Sequence, residues 1–113
     1  MDGAAPDETI HQIMRLRIMA ALTALPAGEM LEFIRLRAIV AASDGNLATH
    51  LNTLDNAGYI KVLKDYVGKK PRTRLVATPA GRTALERHVA YLRGIIDAGT
   101  ALPAEQPVTE TIS

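Results

Sequence analysis

Between residues 43 and 97 the spacing of apolar residues changes twice, from helical to alternating and back to helical. Few folds accept that order in so short a span. Leu47, Leu51 and Leu54 fall at i, i+4 and i+7, with Ala57 completing the stripe, which predicts a helix. Ser43 is its natural N-cap, and Asp44 lies in the first turn at the positive end of the helix dipole. Gly58 follows the last periodic residue and suits a left-handed position after the helix. From Tyr59 the period drops to two. Tyr59–Lys64 reads as a strand with Lys61 outward. Gly68 marks a turn, and Pro71 is expected to interrupt pairing at the tip. Thr73–Ala77 returns with Leu75 and Ala77 on one face. The loop so defined holds Lys69, Lys70 and Arg72. Thr78-Pro79 then starts a helix, threonine as N-cap and proline at the first position, which runs to about Asp97.

Two helices are expected upstream. The first covers about Thr9–Leu25, capped by Asp7 or Thr9 and stopped by Pro26-Ala27-Gly28. Ile10, Met14, Ile18, Ala21, Leu22 and Leu25 form one stripe, and Ile13, Leu16 and Ala20 an adjacent one. The second covers about Phe33–Ala41, with Phe33, Leu36, Ile39 and Val40 as its core face and Arg35 and Arg37 pointing elsewhere. An extended scrap at Met30–Glu32 precedes it. Leu31-Glu32-Phe33 alone also reads as a strand, so that boundary is open. The last helix carries two apolar stripes: Leu85, Val89, Leu92 and Ile96, and beside them Ala84, His88, Tyr91 and Ile95. A small domain seldom covers so wide an apolar surface on a terminal helix. This breadth, with that of the first helix, points to a second copy of the chain.

A chain of 113 residues holds one ordinary core. With aromatics at 4% and no tryptophan, that core is aliphatic. Cysteine is absent, which excludes disulfides, thiolate metal sites and redox thiols. No apolar stretch approaches the roughly 20 residues of a membrane helix. The acidic start, Met-Asp-Gly-Ala-Ala-Pro-Asp-Glu, is not a signal peptide, and a cytoplasmic location is the expectation. The net charge of +1 hides a segregation. Residues 1–8 and 99–113 hold acids and no base, and both read as disordered tails around a domain at 9–98. That domain carries 13 bases against 7 acids. Lys61, Lys64, Lys69, Lys70, Arg72 and Arg74 cluster with only Asp65 opposing them, a patch that favours anionic partners.

The order of elements is a helix-turn-helix with a basic β-ribbon appended, a mainly α fold. The third helix shows Asn46, Thr49, His50, Asn52 and Thr53 on its polar side, almost uncharged. Such side chains can exchange hydrogen bonds with base edges in the major groove, and a basic ribbon can meet phosphates or enter the minor groove. No catalytic constellation is present. There is no glycine-rich phosphate loop, no Gly-x-Ser-x-Gly and no His-Glu-x-x-His, so an enzyme is not expected.

Residues 43–60, SDGNLATHLNTLDNAGYI, followed by Gly68-Lys-Lys-Pro-Arg-Thr-Arg74 and Thr78-Pro-Ala-Gly-Arg82, resemble the winged-helix transcriptional regulators, and within them the compact MarR/ArsR-like branch. Residues 10–19, IHQIMRLRIM, are similar to that branch's opening helix. The resemblance implies a homodimer joined through the first and last helices. Ile10, Ile13, Leu85, His88, Val89, Tyr91, Leu92, Ile95 and Ile96 are the expected interface. It implies a recognition helix at Asp44–Thr53, with Ser43, Asp44, Gly45, Asn46, Thr49, His50 and Thr53 toward DNA. The wing would supply Lys64, Lys69, Lys70, Arg72 and Arg74. The sequence departs from metal-sensing relatives, since His11, His50 and His88 form no ligand set on the last helix. Neither a metal nor a cofactor is expected, and a small-molecule effector stays open.

Several of these residues carry a second reading. His50 lies beside the apolar stripe, where packing competes with DNA contact. Gly45 either relaxes the first turn or lets a phosphate approach the helix N-terminus. His11 and His88 are either packed at the expected dimer helices or form a switch there. A winged helix can also serve as a protein-interaction module, which would need exposed apolar anchors on the third helix. Single-stranded nucleic acid would need stacking aromatics, and only Tyr59 and Tyr66 lie near the basic patch.

Overall fold

A computed structural model describes residues 5–101, with side chains placed through residue 99. Its elements run α1 (Ile13–Thr23), β1 (Leu31–Glu32), α2 (Phe33–Val40), α3 (Asp44–Asn56), β2 (Ile60–Val67), β3 (Lys70–Ala77) and α4 (Pro79–Ala101). The three strands form one antiparallel sheet in the order β1-β3-β2. The extended scrap before α2 is thus a real strand, with Leu31 opposite Leu75.

The core is aliphatic. Ile10, Ile18, Met19, Leu22, Leu36, Val40, Leu47, Leu51, Leu54, Ile60, Leu75, Ala77 and Leu85 form one buried cluster. Ile39 is the exception to the expected face of α2, being exposed there. Leu36 and Val40 define an inward stripe too narrow to include it.

α1 begins four residues later than the periodicity predicts, because two caps compete. The Asp7 carboxylate accepts from the Ile10 amide, 3.0 Å, closing a separate turn. Gln12 then caps the helix itself, its Oε1 accepting from the Arg15 amide at 2.9 Å. Asp7, assigned from composition to an acidic tail, is therefore a fixed part of the domain. Its amide donates to His88 Nδ1, and its Oδ2 accepts from the Tyr59 hydroxyl at 2.6 Å. At the far end of the chain, α4 continues through Ala101, so 99–101 are helical rather than tail. Residues 1–4 and 102–113, the rest of the expected tails, lie outside the described residues.

α4 is set against the body by two residues near its start. Thr78 caps it, accepting from the Gly81 amide at 3.0 Å. A side chain at Gly81 would run into the Tyr59 carbonyl oxygen and come within 2.9 Å of Met19 Cε, so only glycine permits this approach. Arg82 reaches across to the end of α1 and donates to the carbonyls of Thr23 and Leu25, 3.3 and 2.8 Å. It satisfies orphaned acceptors that a glycine C-cap would otherwise serve.

The hairpin is tighter and longer than predicted. Val67 pairs with Lys70, leaving a two-residue turn of Gly68 and Lys69. Gly68 adopts φ 63°, as the first position of a type II′ turn requires. Lys70, Pro71 and Arg72 belong to β3 and not to the loop. Pro71 does not interrupt the ladder, for it stands opposite Tyr66 on the second rung. Beside a two-residue turn the first rung exchanges hydrogen bonds and the second does not, so the missing N–H faces the open edge beyond β1.

Candidate nucleic-acid interface

The sequence builds α3 as a helix with one committed side. Leu47, Leu51 and Leu54 are buried, and the Ser43 hydroxyl accepts from the Asn46 amide at 3.2 Å. Asn46, Ala48, Thr49, Asn52 and Asp55 are exposed, and Thr53 is half-exposed. The two threonine hydroxyls donate along the helix, Thr49 to Gly45 at 3.0 Å and Thr53 to Thr49 at 3.2 Å. Outward they offer lone pairs and a methyl group. Asn46 and Asn52 keep whole amides facing solvent, with no hydrogen bond among the described residues. Asp44 pairs with Arg37 of α2, fixing the start of α3 against the helix before it. Gly45 meets nothing within 4 Å of where a side chain would be, so the first turn stands open.

His50 is placed differently from its neighbours. It is half-buried, and its Nδ1 lies 3.2 Å from a guanidinium nitrogen of Arg15. Accepting that bond requires the neutral ring with its proton on Nε2. Burial, and then the Arg15 charge, lower its pKa from 6.5. Arg15 also donates to the Thr9 carbonyl, so His50 ties α3 to α1 and to the segment before it.

Alternation along the hairpin sorts the basic cluster onto two faces. Val62, Lys64 and Thr73 face α3, and with Phe33, Thr49, Leu51 and Asn52 they line one groove. A second groove joins Arg37 and Asp44 at the start of α3 to Val67, Lys70 and Arg72 near the wing tip. The polar side of α3 and the wing therefore border the same open surface. Lys69 and Lys70 are exposed at the tip. Arg72 and Arg74, expected to act with them, are held on the face opposite Lys64. Both donate to Asp65, Arg72 through two bonds of 2.9 and 2.6 Å and Arg74 through one of 3.0 Å. Asn52 is among the groove residues that the site assignment left out. Its position three residues after Thr49, on the same side, was the signal that could have found it.

The residues expected at a dimer interface divide. Ile10, Leu85 and His88 are buried inside their own protomer, which corrects their assignment to a free surface. Tyr91 and Leu92 are half-buried. Ile13, Val89, Ile95 and Ile96 are exposed, Ile13 by 64% and Ile95 by 54%. His88 packs edge-on to His11 at 5.3 Å and stacks on Tyr91 at 5.8 Å between ring centres. No cluster of three or more histidine or acidic side chains suited to a metal occurs among the described residues. No helix among them is long and apolar enough to cross a membrane.

Three helices, a two-residue strand and a β-hairpin against a fourth, long helix define a winged-helix protein. Residues 14–96 match the model of the winged helix DNA-binding domain, and the chain belongs to that family. It is a winged-helix regulator. It is 29% identical over 79 residues to a protein of Methanocaldococcus jannaschii described as uncharacterized, covering 70% of this chain and 83% of that one. A transcriptional regulator homologue from Pyrococcus horikoshii OT3 superposes with a TM-score of 0.72 at 25% identity, over 81% of this chain and 88% of that one. A MarR-family transcriptional regulator from Silicibacter pomeroyi shares the fold, with a TM-score of 0.58 at 22% identity over 85% and 58% of the respective chains.

Proposed function

We propose that the protein is a homodimeric transcriptional regulator that reads double-stranded DNA, with α3 in the major groove and the wing beside it. The observation that carries this reading is the groove shared by Thr49 and Asn52 of α3 and Lys64 of the wing. Neutral hydrogen-bonding groups on the helix are suited to base edges, and the lysines at 64, 69 and 70 to phosphates. The family match and the regulator from Pyrococcus horikoshii support it. The exposed side of α3 has no large apolar anchor, which argues against a protein-docking module.

Ile13, Val89, Ile95 and Ile96, with half-buried Tyr91 and Leu92, are the surface for the second copy. A twofold dimer places two copies of α3 about one helical turn of DNA apart, roughly 34 Å. The test is selection from random duplex DNA, followed by titration at several salt concentrations. If the dimer neutralises about six phosphates, log K falls against log salt with a slope near −5. Asn46→Ala or Thr49→Ala should change the bases preferred, whereas Lys69→Ala with Lys70→Ala should weaken all sequences together. A flat salt response, or recovery of no sequence, overturns the reading.

A further inference from the structure

Resting on the DNA-binding reading above, we infer that Asp65 is a specificity determinant: it holds Arg72 and Arg74 back from phosphates, and so leaves recognition to α3. The geometry is that of a clamp. Asp65 stands directly opposite Arg72 in the ladder, and Arg74 is two residues further along the same face. Asp65 Oδ1 accepts from Arg72 Nε, and Oδ2 accepts from both Arg72 and Arg74. The bidentate pair fixes the plane of the Arg72 guanidinium, a stronger arrangement than a single contact. The arginine side chains are only 30% and 29% exposed. Glu32 is the cross-strand partner of Arg74 on the other side, which adds a second acid to the same face.

The place of the clamp gives it a consequence for binding. Arg72 lies on the third rung from the turn, about 7 Å along the strand from the tip at roughly 3.3 Å per residue. A released arginine there could reach the backbone that Lys69 and Lys70 meet. Hydrogen bonding from Arg72, and then the charges of both arginines, outweigh desolvation and lower the Asp65 pKa from 3.8, which favours the charged form that the clamp needs. With the clamp closed, the hairpin presents lysines to DNA while its arginines serve the hairpin. A phosphate contact adds affinity for every sequence alike. Withholding two of them lowers the sequence-independent background without touching the contacts of α3.

The experiment compares the salt dependence of wild-type, Asp65→Asn and the triple variant Asp65→Asn, Arg72→Gln, Arg74→Gln, each on a selected duplex and on an unrelated one. Thermal melting confirms that each is folded. Asp65→Asn should bind the unrelated duplex at least fivefold more tightly and narrow its difference from the selected one. Its slope of log K against log salt should steepen by about two per wing, the value for two further phosphates. The triple variant should return the slope to the wild-type value or below. An unchanged or flatter slope in Asp65→Asn overturns the inference, as does a steepening that survives in the triple variant. If wild-type itself shows no salt-dependent binding, the DNA-binding reading and this one fall together. A steep wild-type slope that Asp65→Asn leaves unaltered removes this inference alone.

Discussion

The two halves of α4 have opposite relations to their own protomer. From Pro79 to His88 the helix is joined to the body: Gly81 against the Tyr59 carbonyl, Arg82 on the end of α1, Leu85 and His88 buried. From Val89 onward no apolar residue through Ile96 is fully buried, Tyr91 and Leu92 being half-buried and Ile95 and Ile96 more than half exposed. The outer half is the more apolar of the two, so hydrophobicity alone does not decide which half is buried. The difference is that the first half has the sheet and α1 to pack on, and the second runs past the end of both. The lesson is that an over-wide apolar helix can serve two masters in sequence, one per half.

Substitutions along α4 test that division. The largest effect is expected at Gly81. Gly81→Val forces a side chain into backbone and should cost about 3 kcal/mol or more, a large part of the 5–15 kcal/mol typical of a domain. Its urea midpoint reads this, and a loss below about 1 kcal/mol would contradict the close approach. Next, Val89→Glu with Ile95→Glu should abolish the dimer and leave the protomer folded. Sedimentation at micromolar concentration should show a 12.2 kDa species for the variant and twice that for wild-type. A variant that stays dimeric moves the interface elsewhere.

A smaller effect is expected at Arg82. Arg82→Ala strands the Thr23 and Leu25 carbonyls and should cost about 2 kcal/mol, the range for hydrogen bonds to a charged group, with no change in oligomeric state. The smallest is a pH dependence. Burial, and then the nearby His11, lower the His88 pKa from 6.5, and His50 is lowered as well. The folded protein binds protons at these rings less readily than the unfolded chain does, so as pH falls through 6.5 the unfolded chain takes up more of them. Stability should be level above about pH 7.5 and fall as pH drops through 6.5, by at most about 1.4 kcal/mol per pH unit for each ring. His88→Gln should flatten that fall, and a profile identical to wild-type would show that His88 does not contribute.

The sequence made α3 legible because each signal there agreed: Ser43 caps it, the leucines bury, and Gly58 follows with φ 81°. The start of α4 was equally plain in Thr78-Pro79. What escaped was whatever depended on a distant partner. Asp7 is acidic and near the terminus, and nothing local shows that His88 and Tyr59 wait for it. Arg72 and Arg74 read as two more cations, because composition counts a charge without saying that Asp65 has claimed it across the ladder. Ile10 and His88 fell on apolar stripes at the expected interface, yet periodicity cannot say whether the neighbour on that stripe belongs to the same copy or another. His50 was left between packing and DNA contact, and the Arg15 guanidinium that it meets comes from 35 residues earlier in the chain.

The contacts of Asp7 have a practical side. One carboxylate and one amide join the opening segment to the long helix and to Tyr59, whose phenol that bond, with burial and the acid's charge, pushes up to about 12. Tyr59 is three residues past the end of α3. The opening stretch of the polypeptide is thus a mounting bracket for the reading head, and trimming it back to residue 9 would loosen the seat of α3 and wing while leaving every candidate DNA-facing side chain in place.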